Sequence, residues 1–127
     1  MLNQSLQILK QMQYPTGLFA ASRMTVKTGY NLAWIRDNIY TAIGLEAAQK
    51  YGIVRKTLRA LLDVLLKHEY KIDWAIKEKP KHHYQYIHAR YDPITMEEIY
   101  EQWGNKQNDV IVALLFKIGD LDEKGRR

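Results

Sequence analysis

The residues best equipped for chemistry lie in Tyr30-Asn-Leu-Ala-Trp-Ile-Arg-Asp37, where two aromatic rings, a guanidinium and a carboxylate fall within one short stretch. A hexose offers hydroxyls that take charged partners in pairs, and flat C–H patches that take an aromatic face. Trp34, Arg36 and Asp37 supply both. Asp37 equally suits the N-cap or first turn of the helix that follows, where its carboxylate accepts backbone N–H groups and complements the helix dipole. Residue types alone therefore leave two readings open, a sugar site and an ordinary capped helix with a local Arg–Asp pair. A second concentration, His82, His83, Tyr84, Tyr86, His88, Tyr91 and Trp103, raises the question of metal. Its spacing matches no chelating pattern such as i, i+4 on a firm helix, and no carboxylate stands ready to complete the set. Neither a metal nor a cofactor is expected.

The elements that must position these groups are mostly helical. Leu2, Leu6, Leu9 and Met12 make one side of a short helix over Ser5–Met12, with Asn3 as a cap and Pro15-Thr16-Gly17 as the turn that stops it. Leu18–Ala21 reads as a short extended apolar run and Thr28-Gly29 as another turn. A second helix is predicted from Asp37 to Tyr51, with Tyr40, Ile43, Ala47 and Tyr51 on one face, small residues Gly44 and Ala48 beside them, and Gly52 as the left-handed C′ residue. A third carries Val54, Leu58, Leu61, Leu62, Leu65 and Leu66 to about Tyr70, antiparallel to the second. Ile72–Ile76 fits a helix tail or a short strand. Thr95 and Glu98 match a capping box for a brief helix near Met96–Glu101. Val110–Phe116 is apolar on every side and, behind the Asn108-Asp109 cap signal, predicts a helix buried all round, with a frayed charged tail from Gly119.

The bulk properties narrow the setting. A chain of 127 residues fits one domain or a piece of one, and its lack of cysteine excludes disulfides, thiolate zinc sites and a cysteine nucleophile. No stretch resembles a signal peptide or a bilayer span, so a soluble, cytoplasmic protein with no membrane partner is expected. The formal charge of +5 is concentrated at Lys77–His83 and Lys124–Arg127. A basic helical interaction module is one reading of that charge. Yet the basic residues follow no helical stripe and are not interleaved with aromatics, so nucleic acid is not the expected partner.

Two stretches together resemble the glucoamylase-type glycoside hydrolases of family 15 and their relatives, the alpha and beta regulatory subunits of phosphorylase kinase. The first is Gly17-Leu-Phe-Ala-Ala-Ser22 upstream of Trp34-Ile-Arg-Asp37; the second is Gln102-Trp-Gly-Asn-Lys-Gln-Asn-Asp109 leading into an apolar helix. The resemblance spans about residues 14–118. It implies an all-α fold in which this chain, 1–127, is a single partial domain, the opening third of an (α/α)6 barrel of helical hairpins with long functional loops. The α-glucan or oligosaccharide site is implied to comprise Tyr30, Trp34, Arg36, Asp37, Trp103, Gln107 and Asp109. Arg36 and Asp37 would hold hydroxyls of the terminal glucosyl unit, Tyr30 would sit by the reacting carbon, Trp34 would line the pocket, and Trp103 would stack on or hydrogen-bond to the sugar. Gln107 and Asp109 serve the site or pin the loop to the helix that follows. Twelve helices with their loops need roughly 190 residues, so self-association or a partner chain completing the barrel is expected. The family's inverting hydrolysis takes a glutamic acid and a glutamate base. Both family positions fall beyond Asp109, on segments expected after Arg127, and Glu97, Glu98 and Glu101 match neither, so no catalytic residue is assigned here. The implied functions are the substrate-recognising segment of a glucan hydrolase, inactive alone, or a non-catalytic regulatory subunit; His88-Ala-Arg-Tyr91 looks closer to the latter.

Overall fold

The computed structural model of the chain describes residues 2–21, 32–99 and 108–123. Among them, helices α1 (Leu2–Met12), α2 (Ile35–Ala47), α3 (Tyr51–Lys67), α4 (Glu69–Lys77) and α5 (Asn108–Glu123) carry the architecture. Two short strands, β1 (Ala33–Trp34) and β2 (Arg90–Tyr91), pair antiparallel, with Ala33 opposite Tyr91 and Trp34 opposite Arg90. The fold is all-α, fastened by this one small ladder. No helix among the described residues is long and apolar enough to cross a membrane.

The core is the α2–α3 hairpin. Ile35, Ile39, Ala42 and Leu45 of α2 meet Val54, Leu58, Leu61 and Val64 of α3, and Leu6, Leu9 and Met12 of α1 pack against the edge. The face that Tyr40, Ile43 and Ala47 share is the outward one, and among the described residues a Cβ added at Gly44 would meet no neighbour within 4 Å. Both faces of α2 are apolar enough to be buried, and the Leu-rich side of α3 selects the other.

Helix boundaries shift for local reasons. α2 starts at Ile35 instead of Asp37 because β1 runs directly into it, the Ile35 N–H donating to the Ala89 carbonyl at 3.0 Å. It ends at Ala47 in a Schellman motif, where the Gln49 and Lys50 N–H groups donate to the Glu46 and Leu45 carbonyls, both at 2.9 Å. The left-handed residue is Gln49, with φ 61°, and Gly52 lies inside α3. Ile72–Ile76 is helical, within α4. The capping box at Thr95 does not open a helix. Met96 takes φ 60°, and Asp92 Oδ1 accepts the Ile94 and Thr95 N–H groups at 2.8 and 2.9 Å, which turns the chain back so that Glu98 bridges to Tyr91.

α5 packs on α2 through Leu114, which is fully buried, but Val112, Leu115 and Phe116 are exposed, Phe116 at 72%. The expectation of burial on every side thus fails among the described residues, where α2 supplies one neighbour. The helix continues through Gly119 to Glu123, beyond the predicted point of fraying.

The segment after α1 is held at several points. Tyr14 N–H donates to the Leu18 carbonyl at 2.8 Å, Ala20 N–H to Met12 at 3.0 Å, and Ala21 N–H to Leu32 at 3.3 Å. Leu18, Phe19 and Ala20 are all buried. The predicted turn at Pro15–Gly17 is present, with Gly17 at φ 102° and so close to α3 that a Cβ there would lie 2.8 Å from the Lys56 carbonyl oxygen. The predicted Thr28-Gly29 turn lies outside the described residues. Gly17→Ala therefore combines backbone strain with a backbone clash, and should cost about 2 kcal/mol or more in urea unfolding. A midpoint equal to wild type would contradict this packing.

Candidate functional site

Three of the predicted site residues stand together where β1 becomes α2. Trp34 is the residue preceding α2, and Arg36 and Asp37, both half-buried, fill its first turn. The helix has no side-chain N-cap, since Trp34 occupies that position, so the carboxylate of Asp37 sits among first-turn groups that favour negative charge. Tyr30, Trp103 and Gln107 lie outside the described residues. Asp109 is in the first turn of α5, its side chain likewise outside them.

What fixes this corner is Asn38, a residue the sequence reading passed over. It is fully buried; its Oδ1 accepts the Phe19 N–H at 2.7 Å, and its Nδ2 donates to the Phe19 carbonyl at 3.0 Å and to the Trp34 carbonyl at 2.8 Å. One carboxamide thus imitates a strand neighbour for Phe19 and ties the buried 18–20 segment to the turn that bears Arg36 and Asp37. Its only sequence signal is the i, i+4 spacing from Trp34.

Arg90 provides the second hold. Its guanidinium carbon lies 5.6 Å from the centre of the Trp34 ring, within cation–π reach, and both residues are buried. The indole is thereby oriented by its own strand partner.

Behind β2 lies a buried charge cluster. Lys71, 4% exposed, donates to the Tyr84 and Tyr86 carbonyls at 2.5 and 3.3 Å and meets Glu98 Oε1 as a counter-charge at 2.5 Å. His68 Nδ1 is 3.3 Å from that same oxygen and His88 Nε2 is 3.8 Å from Oε2. The Tyr91 hydroxyl accepts the His88 N–H at 3.0 Å. Burial, reinforced by Glu98, pushes the Tyr91 phenol far above its ordinary range, so it stays protonated. Burial and the Lys71 charge push His88 below its ordinary value, Glu98 and a hydrogen bond to the Tyr84 carbonyl opposing them. Sequence reasoning placed Glu98 in a capping box and His88 among loop histidines. The charged partner they share, Lys71, is far away in the sequence, which is why spacing could not find them. Among the described residues no group of histidines and carboxylates is arranged to hold a metal ion.

A separate cleft of about 510 Å³ lies between the C-terminal half of α2 and α5, beside Tyr51, Phe116 and a buried Lys117–Glu46 pair. Of the predicted site residues whose side chains are described, Trp34, Arg36 and Asp37, none lines it.

The all-α fold agrees with the comparison by family profile, in which glycosyl hydrolases family 15 matches residues 1–118. The chain belongs to that family. A search of curated proteins gives no significant match.

The charge cluster makes a direct stability prediction. Lys71→Met strands Glu98 in a buried site and should destabilise by about 3–5 kcal/mol, whereas Lys71→Met with Glu98→Leu should recover most of that loss. Guanidinium unfolding of the three proteins measures it; a single variant as stable as wild type would show that the pair is not buried in solution.

Proposed function

We propose that the chain supplies the substrate-holding side of a family 15 carbohydrate pocket for an α-glucan or oligosaccharide. Arg36 and Asp37 make paired, charge-assisted hydrogen bonds to hydroxyls of a terminal glucosyl unit, and Trp34, oriented by Arg90, backs the pocket. Tyr30 and Trp103 complete it, with Gln107 and Asp109 serving the site or pinning the loop ahead of α5. The observation that carries this reading is the placement of Arg36 and Asp37 side by side in the first turn of an uncapped helix, in a chain whose family acts on glycosidic bonds. In the full reaction of such enzymes, inverting hydrolysis of α-glucosidic bonds, this side binds and orients while two glutamates handle protons.

The alternative is a non-catalytic regulatory subunit with the same pocket. It is favoured by His88-Ala-Arg-Tyr91, which looks closer to the regulatory subunits than to the hydrolases. Under either reading we place residues 1–127 as one partial domain of a barrel and assign it to the cytoplasm. The exposed Val112, Leu115 and Phe116 side of α5 is where a further chain or a second copy would pack.

Isothermal titration with maltose and with an acarbose-type inhibitor tests the pocket. Asp37→Ala and Arg36→Ala should each weaken binding about 10- to 100-fold, the loss of hydrogen bonds to charged groups. Equal heats in wild type and variants would remove these two residues from the site.

A further inference from the structure

The cluster behind β2 is connected to the candidate pocket, and that connection has a consequence for regulation. We propose that His88, set against the buried Lys71–Glu98 pair, is an acid-operated latch: proton uptake by its imidazole releases β2 from β1 and loosens the Trp34–Asp37 corner. That the release lowers sugar affinity rests on the pocket assigned above; the latch itself does not.

Position gives His88 its leverage. It immediately precedes Ala89, whose carbonyl receives the Ile35 N–H that begins α2, and it stands two residues before Arg90, whose guanidinium lies over Trp34. Its own N–H is bound to the Tyr91 hydroxyl. A shift of the histidine thus moves both Ala89, which holds the start of α2, and Arg90, which holds Trp34.

The surroundings make a proton costly there. From the α3–α4 corner, His68 and Lys71 face the cluster; from the β2 side, Tyr91 and Glu98; from the 3₁₀ turn at His83–Gln85, the Tyr84 carbonyl. The surface pair Lys67–Glu97 lies alongside and is internally neutral. Glu98 is the cluster's carboxylate and its charge is already matched by Lys71, so a protonated His88 adds an unmatched charge to a residue that is 4% exposed. Nor is a hydrogen-bond partner in place, and the Glu98 carboxylate within ion-pair range is already matched by Lys71. His88 Nε2 has no hydrogen bond among the described residues, and 3.8 Å to Glu98 is too long for one. Satisfying a proton on that nitrogen requires the strand to move.

The direction in pH follows. In the opened strand the imidazole regains its ordinary value of 6.5, above the value that burial and Lys71 impose in the closed form. The opened form then binds more protons through the interval between the two, so closure is fully stable above 6.5 and is lost as pH falls through the folded value.

Amide hydrogen exchange of Ile35 reads the β1–β2 clasp without any ligand. Its protection factor, corrected for intrinsic exchange, should fall roughly tenfold between about pH 7.5 and pH 5 in wild type, and less than about twofold in His88→Asn, whose amide keeps the donor to Tyr84. A flat wild-type profile, or an equal fall in both proteins, would overturn the latch. Should His88→Asn not fold, the imidazole titration of wild-type His88 by NMR decides: ionisation at or above 6.5 overturns it. Maltose titrations over the same range separate the two ideas. Weaker binding in acid, absent in His88→Asn, extends the latch to the pocket; binding at no pH alongside acid-sensitive protection defeats the pocket and leaves the latch standing; binding with no pH dependence overturns the link between them.

Discussion

Three hydrogen bonds from the Asn38 carboxamide decide where the first part of this chain can go. Leu18, Phe19 and Ala20 are apolar and buried, yet each brings a backbone donor and acceptor that must be satisfied away from water. A helix cannot provide a strand neighbour for them, but a side-chain amide can, because it carries a donor and an acceptor at the spacing of a peptide group. Asn38 spends both on Phe19 and a further donor hydrogen on Trp34. The segment after α1, the strand β1 and the first turn of α2 consequently form one rigid corner. Arg36 and Asp37 inherit their orientation from it.

The second constraint is long-range. β1 and β2 are too short to hold by ladder bonds alone, and they are reinforced on one side by the Arg90–Trp34 contact and on the other by Lys71, Glu98 and the two histidines. Charges in such a place rarely add net stability over apolar replacements, because desolvation offsets most of their attraction. What they add is a requirement: the loop from Tyr84 to Glu98 has to adopt the one arrangement that satisfies Lys71. That arrangement puts Arg90 over the indole.

Periodicity made α1 and α3 legible, because each carries apolar residues at helical spacing whatever its neighbours do; the run in α5 is apolar on every side, and only its length and the Asn108-Asp109 cap signal mark it as a helix. The family resemblance rested on motif order, which the profile match over residues 1–118 supports. The failures share a cause. Gly52 looked like the left-handed residue because glycine takes that conformation freely, but the α2–α3 connection is set by packing, and Gln49 bears it. Glu98 looked like a capping residue because Thr95 stands three residues before it, while a lysine on α4 provided the stronger attraction. Two-residue strands carry no periodic signal, and β1 and β2 become visible only once the chain has closed on itself. α5 reads as buried on every side in sequence, and how many sides are covered depends on neighbours that a pattern cannot supply. Of the candidate site, the Trp34–Asp37 corner could be read directly; Asn38 and Arg90, which make it rigid, could not.

The bond between Ala21 and Leu32 gives the corner one further property. Ala21 and Leu32 are thereby fixed to each other at 3.3 Å, so the two ends of the stretch between them are set by the body of the protein. The entropy of closing a chain segment on ends already joined grows only slowly with its length. Substitutions between Ala21 and Leu32 are therefore expected to leave the scaffold that presents Arg36 and Asp37 undisturbed.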